Sequence, residues 1–131
     1  MPWSVVYAGA RAAGSPASLA SSTAAVEEAK LSGDPATLAP AYTTLHGIFL
    51  ASGRDSYRTL GTLALQAYVE IDDLSGQAQC TNNLAVEALE DNRWVEAATM
   101  FQRAADLYHR LGDTDNEGVA RCNQADRKSV V

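Results

Sequence analysis

The chain has 131 residues and predicts an all-α fold, a solenoid of about three antiparallel helical hairpins with a truncated final helix. Three observations carry this. Alanine occupies 24 positions; it has the best helix propensity and lets helices approach closely. Apolar residues recur at spacings of three and four, the period of a helix with one buried face. Gly33-Asp34, Asp72-Asp73 and Gly112-Asp113 each close such a run at intervals of 39 to 40 residues, and a helical period of that length marks stacked repeats.

The runs follow in order. The first, about residues 3–13, carries Trp3, Val5, Val6 and Tyr7. A terminal helix of a solenoid needs a polar outer face, so more chain is expected before Met1. Gly14-Ser15-Pro16 turns into a second helix at about 17–31. Gly33 can end that helix in the left-handed conformation, Asp34 can cap the next, and Pro35 suits a first turn. That next helix spans about 36–51. Ser52-Gly53-Arg54 breaks it, and Asp55 is placed to cap a helix at 56–71. A helix at 75–90 puts Ala78, Leu84, Ala85, Ala88 and Leu89 on its buried side. Asp91-Asn92-Arg93 turns into a helix at 93–111 with Ala97, Phe101, Ala104, Tyr108 and Leu111 on one stripe and Glu96, Arg103 and Arg110 opposite. Asp115 or Asn116 caps a last helix from near 116. The units are 1–34, 35–73, 74–113 and a partial 114–125. Within them Ala78-Gln79-Cys80 aligns with Ala120-Arg121-Cys122, and Asn82 with Gln124.

The closing string Asp126-Arg127-Lys128-Ser129-Val130-Val131 breaks the pattern and resembles a translated library adapter, so residues 126–131 are read as a non-native tail. Net charge is −6 for the whole chain; without the tail, 8 basic and 15 acidic residues remain and the charge is −7. The excess lies in residues 70–125, with eleven acids and four bases. A basic stripe for nucleic acid is missing, and so are an apolar run that could span a bilayer and a secretory leader. Two cysteines make no disulfide framework. The expected location is the cytoplasm. A cut final hairpin and an apolar first helix also predict self-association through the terminal helices.

Nothing in the sequence supports catalysis. His46 and His109 lie on different helices and are expected to be partly exposed; zinc needs three or four converging ligands. Cys80 and Cys122 form no CxxC pair, and a metal or redox role for them is a remote alternative. Glu27-Glu28, Asp72-Asp73 and Glu90-Asp91 are sequence neighbours, which point apart on a helix. Ser15, Ser18, Ser21 and Ser22 have no partner base. Gly9 and Gly14 do not make a phosphate loop. No cofactor is expected.

Residues 83–113 read N-L-A-x-x-A-L-E-D-N-R-W-x-E-A-x-x-x-F-x-x-A and close in L-G-D. This resembles a tetratricopeptide repeat. Leu84-Ala85 supplies the large–small pair of the first helix, Asp91-Asn92-Arg93 the polar turn, and Ala97, Phe101 and Ala104 the small–aromatic–small series of the second. Residues 45–73 match through Leu45, Gly53-Arg54, Ala64 and Asp73, with Tyr57-Arg58 in place of the usual Glu-Ala. The early tryptophan and closing proline are missing, and the period exceeds the ~34 residues of the common form. The string L-S-G-Q-A-x-x-x-N-N-L-A at 74–85, with R-W-x-E-A at 93–97, is similar to C-terminal repeats of bacterial regulators that join an adenylate or guanylate cyclase domain, or a LuxR-type DNA-binding domain, to an AAA-type ATPase.

The resemblance implies a non-catalytic protein-interaction or scaffold module, a fragment of such a regulatory arm, whose partner is a protein or peptide or a domain of its own parent chain. A stand-alone adaptor holding a peptide in its concave groove is the alternative. By the repeat register that groove would present Thr43, Gly47 and Leu50, then Gln79, Asn82, Val86 and Glu90, then Arg121 and Gln124. The lysines that clamp acidic peptide tails are missing, so a peptide of mixed apolar and basic character is expected.

Overall fold

The computed structural model describes residues 16–52 and 59–130, with side chains described over 19–50 and 59–124. The expected helix at 3–13 and the Asp55 cap lie outside the described residues. Those residues form six helices and no strand: α1 (Pro16–Ser32), α2 (Pro35–Ser52), α3 (Leu60–Glu70), α4 (Leu74–Glu90), α5 (Trp94–Leu111) and α6 (Thr114–Val130). Each predicted run in this part of the chain is a helix. The last continues to Val130, past the break expected at 126.

The turns explain why the helices stop where they do. Gly33, Asp72, Asn92 and Gly112 all have positive φ, between 60° and 74°. A left-handed residue reverses the chain and lets the next N–H reach back to a carbonyl five residues earlier. Asp73 N–H donates to the Tyr68 carbonyl at 3.0 Å, Arg93 N–H to Ala88 at 2.8 Å and Asp113 N–H to Tyr108 at 2.9 Å. The residue after the left-handed one then begins the next helix. Asp34 Oδ1 accepts from Ala36 N–H at 3.1 Å, Asp73 Oδ1 from Gly76 N–H at 3.0 Å, and Asp113 Oδ1 from Asn116 N–H at 3.1 Å. The last helix is therefore capped by Asp113, not by Asp115 or Asn116: the Gly112 turn places residue 113, not a later one, at the helix mouth.

These caps also correct the repeat register. Asp73 and Asp113 are equivalent, so the last two copies are offset by 40 residues. Cys80 then corresponds to Ala120, both buried, while Cys122 is exposed. The Ala-x-Cys match at an offset of 42 put the two cysteines in one place because it aligned residue types without the caps.

Each helix packs on the next, and α2 also touches α4. The pairs Asp106–Arg121, His109–Glu117 and Ala98–Gln124 step in opposite directions, so α5 and α6 run antiparallel. Thr43–Cys80 and His46–Glu87 step the same way along α2 and α4. The helix α4 is enclosed: every residue from Cys80 to Ala88 is buried. Gly76, Cys80, Leu84 and Glu87 meet α2 and α3. Ala78 joins Ala104, Ala105, Tyr108 and Ala120, while Ala85, Val86 and Ala88 join Ala97 and Phe101. The α5 stripe is buried through Ala97, Phe101, Ala104 and Tyr108, with Ala105 added, but Leu111 is exposed. It sits in the last turn, beside Gly112, where the chain leaves the interface.

Candidate interaction surface and buried polar core

The residues expected to line a groove separate into two groups. Thr43, Gly47, Leu50, Asn82 and Val86 are buried; Gln79 and Gln124 are half-buried; Glu90 and Arg121 are exposed. The helices α2, α3, α5 and α6 all contact α4, so positions that face any of them are covered. Thr43 Oγ1 donates to the Ala39 carbonyl at 2.8 Å, which leaves it to accept from Cys80 Sγ at 3.4 Å. Gln124 donates to the Ala98 carbonyl at 3.2 Å. Arg121 pairs with Glu117 at 3.0 Å and with Asp106 at 3.7 Å. The surface open to a partner around these positions is Gln79, Glu90, Arg121 and Gln124.

Beneath it runs a polar chain that crosses two hairpins. His46, expected to be partly exposed, is 1% exposed. It stands on α2 and meets Glu87 of α4 at 3.3 Å. A carboxylate oxygen only accepts, so the ring donates from Nε2. Glu87 lies 3.8 Å from the Arg93 guanidinium, which also meets Asp91 at 3.4 Å and Glu96. Arg93 occupies the first position after the left-handed Asn92, so the α4–α5 turn aims the guanidinium at Glu87. His46 and Glu87 are 41 residues apart in the sequence, and no local motif signals their pairing.

A histidine held by a carboxylate is also the geometry of a general base. Here the ring is closed in. A Cβ on Gly61 would lie 2.5 Å from His46 Cε1 and 2.6 Å from Leu84 Cδ2, so α3 approaches as closely as glycine permits. Burial, opposed by the Thr43 hydrogen bond and aided by Asp73, pushes the Cys80 thiol up to about 11. A thiol held protonated is a poor nucleophile and a poor metal ligand. No group of three or more His, Cys, Asp or Glu among the described residues is placed to hold a metal ion. His109 stands at the surface, 3.1 Å from Glu117.

Asn83, which the sequence offered beside Asn82 as a possible groove residue, and Asn123, which it did not offer, each stand ten residues past a capping aspartate, and each is buried with both amide atoms unpartnered. The recurrence of Asn at one offset from the Gly-Asp or Asp-Asp close was the available signal; the offset of 42 concealed it.

No helix among the described residues is long and apolar enough to cross a membrane. Comparison with protein-family models, with curated proteins and with solved structures gave no match.

Proposed function

We propose that this chain is a non-catalytic protein-interaction module, a solenoid of tetratricopeptide-like hairpins that serves as a regulatory or scaffolding arm of a larger bacterial signalling protein. The observation that carries this reading is the repeated turn: the same left-handed residue, reach-back hydrogen bond and aspartate cap separate α3 from α4 and α5 from α6. Joints of one geometry between hairpins generate a regular stack, and a regular stack presents one face of each unit along a continuous surface. The polar groups at its centre support the same reading, because His46, Glu87 and Cys80 are used to join hairpins and are closed to a substrate.

The partner is a protein or peptide that meets Gln79, Glu90, Arg121 and Gln124. The test begins with the contiguous DNA on either side of the coding segment, which supplies the flanking domains. Binding of this chain to those domains is then measured by titration calorimetry. Glu90→Lys with Arg121→Glu is expected to weaken association at least tenfold with an unchanged circular dichroism spectrum. Association that ignores both charge reversals, or flanking domains that neither bind the chain nor change activity with it, overturns the proposal.

A further inference from the structure

Four large apolar side chains that the fold leaves in solvent gather at one end of the packed helices. Leu31 is 89% exposed, Val69 54%, Ile71 38% and Leu111 41%. Each stands within three residues before a left-handed turn residue, Gly33, Asp72 or Gly112. These three turns share one end. The contacts of α2 and α4 step the same way. Those of α4 and α5 step oppositely: Ala78 joins Ala104, Ala105 and Tyr108, whereas Ala85 and Ala88 join Ala97 and Phe101. The helices α5 and α6 oppose each other again. So α2, α4 and α6 are parallel, and the turns that start them lie side by side. Packed helix axes are about 10 Å apart, which makes the row of three turns roughly 20 Å long.

Charge collects at the same end. The ten residues that frame each turn, 27–36, 66–75 and 106–115, hold nine acids and two bases. The remainder of the chain holds seven acids and eight bases, so the net negative charge belongs to these turns. Asp73 and Asp113 cap helices. Glu70, between Val69 and Ile71, and Asp72 are exposed. Exposed apolar side chains grouped inside a charged rim mark a contact surface. The charge selects what can cover it. A second copy bringing the same end, or an anionic lipid surface, meets like charge. An uncharged partner buries carboxylates without counter-charges. A cationic partner with one apolar face satisfies both.

We propose that this end docks a cationic amphipathic helix of a partner protein, with its apolar face on Leu31, Val69, Ile71 and Leu111 and its lysines or arginines beside Glu70 and Asp72. The proposal rests on the reading of the chain as an interaction module. It uses a surface apart from Glu90 and Arg121, which its test leaves unchanged, so either surface can fail without the other.

The probe is a labelled peptide of leucine and lysine at helical spacing, about 14 residues long and therefore roughly 20 Å as a helix. It is titrated with the full chain by fluorescence anisotropy. Val69→Ser with Ile71→Ser, and separately Glu70→Gln with Asp72→Asn, are each expected to weaken binding at least tenfold. All four side chains are exposed, and asparagine already holds the left-handed conformation at position 92, so the circular dichroism spectrum is expected to stay the same. Asp91→Asn with Glu96→Gln removes as much charge from the opposite end and is expected to change binding by less than about twofold. A peptide with glutamate in place of lysine is expected not to bind. Equal loss in the two charge-removing pairs, binding that ignores the serine pair, binding of the glutamate peptide, or no binding of the lysine peptide overturns the proposal. So does a dimer of this chain that Val69→Ser with Ile71→Ser dissociates, since the occupant is then a second copy.

Discussion

At the residue scale, two glycines and two cysteines report how closely the hairpins meet. A Cβ on Gly76 would stand 2.2 Å from the Tyr68 ring, which is itself buried. Gly76→Ala therefore forces the ring to move and is expected to cost about 1–3 kcal/mol by chemical denaturation, whereas Gly118→Ala, with open space around it, is expected to cost nothing or to stabilise the helix. The thiols differ in the same sense. Cys122 is exposed, and Cys80 is buried with its thiol pushed to about 11. A thiol reagent at neutral pH is expected to modify one cysteine of two at once and the second only as the chain unfolds. At this scale the sequence was silent. Cys80 and Cys122 look alike in one dimension, and His46 finds Glu87 only after α2 and α4 are placed side by side. A contact across 41 residues has no local signature.

At the scale of the element, the helices were legible because their ends are chemical events. A glycine, or an aspartate forced to positive φ, followed by a capping aspartate is a local instruction, and so every described boundary lies within a few residues of its expected position. Two helices lack such a cap: α5 begins at Trp94 after Arg93, whose side chain makes no capping hydrogen bond, and α3 departs further from its expected start. It begins at Leu60 after Thr59, whose side chain makes no capping hydrogen bond, and the expected Asp55 cap lies outside the described residues. Loss of a cap costs about 1 kcal/mol, so Asp73→Ala and Asp113→Ala are each expected to lower stability by that amount in urea titrations. Replacing Phe101, fully buried between α4 and α5, by alanine is expected to cost about 3–5 kcal/mol. Ala104→Glu, which puts a charge into the same interface, is expected to be at least as damaging. The α5–α6 joint carries a pH dependence. Hydrogen bonding to the Asn116 side chain and N–H lowers Asp113, and His109 with Arg121 lowers Glu117. Carboxylates lowered by folding contribute stability above their ordinary range and lose it as pH falls through their folded values. The melting temperature is expected to drop below about pH 4, and less steeply in Glu117→Gln.

At the scale of the whole molecule, burial among the described residues is concentrated in α4. The helix α4 is covered from both sides, while α1 borders a cleft and α6 meets α5 along one face. Amide hydrogen exchange is expected to be slowest in α4 and quicker in α1 and α6, and equal protection of these helices would contradict this distribution of burial. Which side of each helix remains open was the least legible property. Periodicity separates an apolar face from a polar one, but it does not say whether a neighbouring hairpin covers the polar one, and so Thr43, Asn82 and Val86 read as groove positions while the fold encloses them.

The identity of the Asp73 and Asp113 joints has one more consequence. Each is entered from a left-handed residue and left through the same aspartate cap. Excising residues 74–113 would lead α3 into α6 through the same kind of turn but set Asn116 where Gly76 meets Tyr68, so the spliced helices are expected to pack less closely. A solenoid joined in this way would change length in steps of about 40 residues.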